Sequence, residues 1–170
     1  MVLQDFTTWT ETDPDACITV TETRVTWTAA DGDGDSYVVD DRGAGGIPGD
    51  FTHQFEVNIG GMAYLGTLVV WSLSNTADFT NNEDVELKIK DFFGDTTFGI
   101  YDWGGELEIE SGAITTDTLY FVTIARVTKT YTLTMRTGSH TGNVFYTGNG
   151  TQTGDLASRY LWGFVDGTHT

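Results

Sequence analysis

Apolar and polar residues alternate with a period of two along most of the chain, and spacing that suits a helix is nearly absent. Phe55, Val57 and Ile59 fall on alternate positions, as do Val85, Leu87 and Ile89, and again Tyr131, Leu133 and Met135. In a strand, alternate side chains point to opposite faces, so each set supplies one side of a core and leaves its neighbours to water. On this pattern strands are predicted near Ile18–Val20, Arg24–Thr28, Tyr37–Asp40, Phe51–Ile59, Ala63–Leu73, Val85–Phe92, Phe98–Tyr101, Leu107–Glu110, Leu119–Val127, Tyr131–Arg136 and Tyr160–Val165.

Strands without helices predict an all-β protein of two antiparallel sheets packed face to face, a β-sandwich of the jelly-roll type. An up-and-down barrel is the alternative. The short link from Val127 to Tyr131 reads as a hairpin. The glycine-rich stretches 43–49 and 138–154 read as longer loops, of the kind that meet ligands at the edges of sandwiches. Pro14 and Pro48 fall in loops, and Gly60-Gly61 reads as a turn or bulge, since no helix follows to make it a phosphate cradle.

Composition adds to this picture. The chain has 170 residues, of which 39% are hydrophobic, enough for one domain with a real core. Thirty threonines suit half-exposed strands. Acidic residues outnumber basic ones 25 to 8, a formal charge of -17. Such a surface repels nucleic acid and anionic membranes, and favours cations and neutral or basic ligands. Cys17 is the only cysteine, which excludes an intrachain disulfide and a thiolate metal cluster; it reads as a small buried hydrophobe. No apolar run approaches the roughly 20 residues of a membrane span, and the first residues lack the pattern of a secretion signal.

The stretches DFTTWTETDPDACITVTETRVTWT, DSYVVDDRGAGGIPGDFTHQFEV and VVWSLSN carry a resemblance. Together they resemble a family of uncharacterised concanavalin A-like (lectin/glucanase) domains of environmental and phage-derived sequences, over most of the chain. The resemblance implies a jelly-roll sandwich, in agreement with the periodicity. It points to function only weakly, because that fold hosts lectins, hydrolases, adhesion modules and virion parts.

Three constellations carry candidate chemistry. The first, WGGELEIE over 103–110, is similar to the Glu-x-Asp-x-Glu signature of retaining β-glucanases of the same fold. The similarity implies Glu106 as nucleophile and Glu110 as acid/base, with Glu108 where that signature has Asp. A retaining pair needs carboxyl groups about 5–5.5 Å apart, whereas residues four apart on a flat strand are ~13 Å apart. The competing reading is an ordinary strand, with Leu107 and Ile109 in the core and Glu106, Glu108 and Glu110 facing water, where charge also protects an edge.

The second is DGDGDS over 31–36, with Asp31, Asp33 and Asp35 at the spacing with which calcium loops surround a hard cation. Ser36 and Arg42 stand where an EF-hand wants Gly and a bidentate Glu, so a different loop with Asp41 as a further ligand is the calcium reading. A solvated hairpin turn is the alternative, since Asp-Gly pairs supply the positive φ of tight turns. His53, His140 and His169 are scattered, which argues against zinc and suggests surface or loop histidines.

The third is a set of aromatics near loops: Tyr101, Trp103, Tyr146, Tyr160 and Trp162. Sugar rings stack their CH-rich faces on aromatic planes while neighbouring carboxylates accept from hydroxyls, so Tyr101-Asp102-Trp103 is the candidate glycan contact. Trp27, Trp71 and Trp162 equally suit the core. No nucleophile elbow, phosphate loop or paired histidine and nucleophile is present in the sequence.

The residues thus predict a non-catalytic, lectin-like module that binds carbohydrate or another surface ligand at a virion or cell surface. The alternative is a virion or appendage structural protein, meeting copies of itself or virion neighbours. A retaining β-glucan hydrolase stands third.

Overall fold

The computed structural model describes residues 5–14, 16–28, 36–47, 49–60, 67–75, 83–92, 94–102, 107–152 and 158–166. Within them lie thirteen strands: β1 (Thr10–Thr12), β2 (Ile18–Thr21), β3 (Arg24–Trp27), β4 (Tyr37–Asp41), β5 (Phe51–Asn58), β6 (Thr67–Ser74), β7 (Glu83–Phe92), β8 (Asp95–Tyr101), β9 (Glu108–Glu110), β10 (Leu119–Val127), β11 (Thr130–Thr137), β12 (Asn143–Thr151) and β13 (Tyr160–Asp166). A single 3-10 turn, Phe6–Thr8, precedes them; the Asp5 carboxylate accepts from the Thr7 N–H at its start. No described helix is long and apolar enough to cross a membrane.

One sheet has seven strands in the order β1-β4-β13-β6-β7-β8-β9, the other four in the order β12-β11-β10-β5, and β2 and β3 form a separate hairpin. Every pairing is antiparallel. Neither large sheet closes on itself, so the molecule is a two-sheet jelly-roll sandwich and not a barrel.

The alternating residues account for the packing. From the seven-stranded sheet Trp71, Leu73, Val85, Leu87, Ile89, Phe98, Ile100, Leu107 and Ile109 enter the core; Val57, Tyr120, Val122, Ile124, Tyr131, Leu133 and Met135 meet them from the other sheet. Burying one such aliphatic or aromatic side chain contributes about 1.5–3 kcal/mol, so this layer is the main source of cohesion. The β2–β3 hairpin packs beside β4 in a second cluster, where Cys17, Ile18 and Val38 are buried with Trp9, Val20, Val25 and Trp27 against them. Cys17 is thus a small core residue.

The structure corrects three expectations. The stretch 138–154 is not one long loop: Asn143–Thr151 is β12, paired with β11 along its length. Its strand character is concealed because the inward positions are Tyr146, Gly148 and Gly150, two of which have no side chain to mark an apolar face. Those glycines are where Leu107 and Ile109 of the opposite sheet come closest, since a Cβ on Gly150 would lie 2.6 Å from Leu107 Cδ1. His53 is no loop residue either. It lies on β5 under Phe51 and accepts from the Trp71 indole N–H at 3.1 Å. Finally, Tyr146, expected near a loop, sits on β12, while Tyr101, Tyr160 and Trp162 lie on β8 and β13, where the predicted strands Phe98–Tyr101 and Tyr160–Val165 place them.

Candidate functional site

The seven-stranded sheet has an outer face, turned away from the core, and β7, β8 and β9 give it a grid of polar side chains. On β7, Val85, Leu87 and Ile89 are buried in the core, so the alternation sends Glu86, Lys88 and Lys90 outward. On β8 the same rule sends out Thr97, Gly99 and Tyr101, and on β9 Glu108 and Glu110. The register sets Glu86 beside Tyr101 and Tyr101 beside Glu108; Lys88 lies beside Gly99 and Gly99 beside Glu110; Lys90 pairs with Thr97.

Tyr101 is the centre of this grid. Its hydroxyl donates to Glu110 Oε2 at 2.8 Å, and the Lys90 ammonium stands over its ring, 3.4 Å from the centroid. Partial burial, and then the hydrogen bond and negative charge of Glu110, push the phenol pKa well up, so Tyr101 keeps its proton and remains a donor. Partial burial pushes the Lys90 pKa down against the opposing pull of Glu110. Lys88 pairs with Glu86 at 2.5 Å.

Further across the same face, Trp162 is buried and donates its indole N–H to Ser74 Oγ at 2.8 Å, with Tyr37 edge-on to its ring. Ser72 stands in register between Glu86 and Trp162, fully buried, its hydroxyl without a hydrogen-bond partner among the described residues.

The residues singled out in the sequence are divided by this geometry. Glu108 and Glu110 are exposed, with Leu107 and Ile109 buried beside them, which is the pattern of a strand with one wet face. Trp103 and Glu106 lie outside the described residues. Asp102 turns inward to the chain: its carboxylate accepts from the Leu107 N–H at 3.0 Å and its own N–H donates to the Leu107 carbonyl at 3.2 Å. It therefore ties the end of β8 to Leu107. Trp71 is a core residue, 4% exposed.

Of the calcium candidates, Asp31, Asp33 and Asp35 lie outside the described residues. Asp41 gives both carboxylate oxygens to Arg159, at 2.6 Å each, and accepts from the Gly43 N–H at 2.8 Å. The Arg159 hydrogen bonds hold its pKa down at about 2. Ser36, the last residue of the aspartate-rich stretch, has its hydroxyl within 3.1 Å of Asp13, whose carboxylate also accepts from the Cys17 and Ile18 N–H groups. Among the described residues no three Asp, Glu, His or Cys side chains cluster as a metal site.

The residues that sequence reasoning missed are Lys88, Lys90 and Gly99. The alternation of VELKIK marks the lysines as outward-facing, but that they stand beside Tyr101 depends on strand register, which the sequence does not display.

No protein-family model and no curated protein matches the chain. Solved structures do resemble its fold. Tailspike protein 2 of an Escherichia coli O157:H7 bacteriophage matches with a TM-score of 0.54 and 12% identity, over 78% of this chain and 20% of that one. The CBM2 module of the evolved Dit of Lactobacillus casei BL23 phage J-1 matches with 0.54 and 13%, over 78% of this chain and 62% of that one. The marine PL7 alginate lyase of Zobellia galactanivorans matches with 0.52 and 11%, over 92% and 85%. The matched region thus spans a fifth of the tailspike chain and under two thirds of the CBM2-module chain. At these identities the likeness is one of fold.

Proposed function

We propose that the chain is a non-catalytic, lectin-like module of concanavalin A type that binds carbohydrate through the outer face of its seven-stranded sheet. The observation that carries this reading is the grid around Tyr101: an aromatic ring with the exposed carboxylates Glu108 and Glu110 on the β9 side, and on the β7 side Glu86 in register with it and Lys90 over its ring. Sugar recognition uses such a combination, in which a ring takes the CH-rich face and charged groups take the hydroxyls. The fold neighbours include a CBM2 module and an alginate lyase, which supports a carbohydrate ligand.

The chemistry of Tyr101 suits binding: a phenol with a raised pKa, donating to Glu110, is a poor general base and a lasting hydrogen-bond donor. A glycan array decides the matter. Specific binding at millimolar concentration or tighter, lost in Tyr101→Ala, supports the module, and a uniformly blank array overturns it. For the hydrolase, the decisive result is reducing sugar released from a β-glucan by the wild type and none by Glu106→Gln.

A virion or extracellular setting follows as part of the same proposal, and a virion structural role is the second reading. The tailspike and Dit neighbours favour it. Electron microscopy and size-exclusion chromatography would show self-assembly or particle association; a monomer found on no particle counts against it.

A further inference from the structure

We infer that the Tyr101 ring is the floor of a subsite for a neutral hexopyranose, and that Lys90 covers this floor until a sugar displaces it. The inference rests on the carbohydrate-binding reading above and names its platform and its ligand.

The platform is made by a glycine. Gly99 and Tyr101 are two apart on β8 and face the same way. A Cβ on Gly99 would lie 2.3 Å from Tyr101 Oη and 2.4 Å from Cε2 and Cζ. The ring is therefore folded down across Gly99, in space that any other residue would fill. Its hydroxyl is pinned at the far side by Glu110, which fixes the ring along the sheet rather than upright from it. With the Gly99 backbone beneath, the open side of the ring is the one that carries the Lys90 ammonium, 3.4 Å from the centroid.

A lysine in that place is a weak cover. A partly exposed cation–π contact is a small interaction, and the ammonium gives up water to make it, which agrees with its lowered pKa. Its four-carbon stem is flexible, so the head can swing back to water or toward the carboxylates. A pyranose that takes its place stacks on the whole ring, and its hydroxyls find Glu108 and Glu110, both exposed beside the platform.

Charge selects the sugar. Glu86, Glu108 and Glu110 border the ring, Lys88 is already paired with Glu86, and the chain as a whole carries -17. A uronate would enter against this field, whereas a neutral hexose meets acceptors suited to its hydroxyls.

Calorimetric titration with neutral β-glucan, mannan and galactan oligomers, and with alginate and polygalacturonate oligomers, tests the proposal on the full chain. At least one neutral series should bind. Tyr101→Ala and Gly99→Ala should weaken it tenfold or more, Tyr101→Phe should retain most of the affinity, and Lys90→Met should tighten binding roughly two- to fivefold, the worth of an exposed cation–π contact. In the free protein the Lys90 Hε protons should be shifted upfield by the ring current of Tyr101, and should return toward ordinary values as sugar saturates, a readout independent of any variant's folding.

The outcomes separate. If the wild type binds no glycan, the carbohydrate reading itself falls and this inference with it. If it binds but Gly99→Ala and Tyr101→Ala bind equally well, the platform is overturned and the broader reading stands. Lys90→Met weakening binding as much as Tyr101→Ala would make the ammonium a ligand contact and overturn the cover. Preference for the uronate oligomers would overturn the neutral specificity.

Discussion

His53 shows how a single half-buried residue couples the fold to pH. It lies between Phe51 and Trp71, accepting from the indole N–H through Nδ1. Burial, reinforced by the positive charges of Arg42 and Arg126, lowers its pKa to about 4. In the unfolded chain it titrates near its ordinary value of about 6.5. Between these values the unfolded chain binds the extra proton, so stability rises with pH across the window. The contribution is fully present above about pH 6.5 and is lost as the pH falls toward 4, with a ceiling of roughly 3 kcal/mol at 1.36 kcal/mol per pKa unit. His53→Gln keeps an acceptor for Trp71 and removes the titration. Urea unfolding should therefore show the wild type losing roughly 2–3 kcal/mol more than the variant between pH 7 and pH 4.5. Equal losses would show that His53 is not the sensor. Asp41, whose pKa of about 2 is set by Arg159, titrates below this window and does not confuse the result.

At the scale of elements, β12 and β9 are the informative pair. They are the edges of opposite sheets, and they approach because Gly148 and Gly150 present no side chains to Leu107 and Ile109. A Cβ on Gly150 would meet Leu107 Cδ1 at 2.6 Å and Ile109 Cγ1 at 3.1 Å. Gly150→Val should thus cost about 1–3 kcal/mol, as overpacking of a filled core does. Gly112→Ala, where a Cβ meets nothing within 4 Å, is the control and should be near neutral in the same urea titration. A neutral Gly150→Val would mean that the edges are not in contact in solution. This pair also explains what the sequence could and could not disclose. Strands with a full apolar alternation, such as β7, β10 and β11, were legible because their inward residues are all large. Strand β12 was not, because its inward face is Tyr-x-Gly-x-Gly and its partner fills the gap. Strand β1, Thr10–Thr12, is too short and polar to mark itself and exists through its ladder to β4. The same limit applies to the candidate site. The outward position of Glu108 and Glu110 follows from alternation alone, while the meeting of Tyr101, Lys90 and Glu110 follows from register across three strands.

For the whole molecule, the governing quantity is charge. Among the described residues Arg42 pairs with Asp40, Lys88 with Glu86 and Arg159 with Asp41. Against a net -17 they leave a large excess of carboxylates that repel one another and oppose compaction. Salt screens this repulsion over a Debye length of about 10 Å at 0.1 M, so the melting temperature should rise with sodium chloride. We propose the calcium reading of the sequence, with Asp31, Asp33, Asp35 and Asp41 as the ligands, and on it calcium adds a separable effect. Specific binding to the folded state stabilises it by RT ln(1 + [L]/Kd), about 2.7 kcal/mol at a hundredfold excess over Kd. Screening depends only on ionic strength, whereas a loop of hard oxygen ligands with flexible geometry prefers calcium to the smaller, more rigidly octahedral magnesium. At matched ionic strength, calcium chloride should therefore raise the melting temperature beyond magnesium chloride and sodium chloride, and EDTA should reverse the excess. Asp33→Ala should remove that excess while leaving the sodium chloride response intact. Equal responses to calcium and magnesium in the wild type would reduce the aspartate-rich stretch to a solvated turn, and the acidity of the chain to a matter of screening.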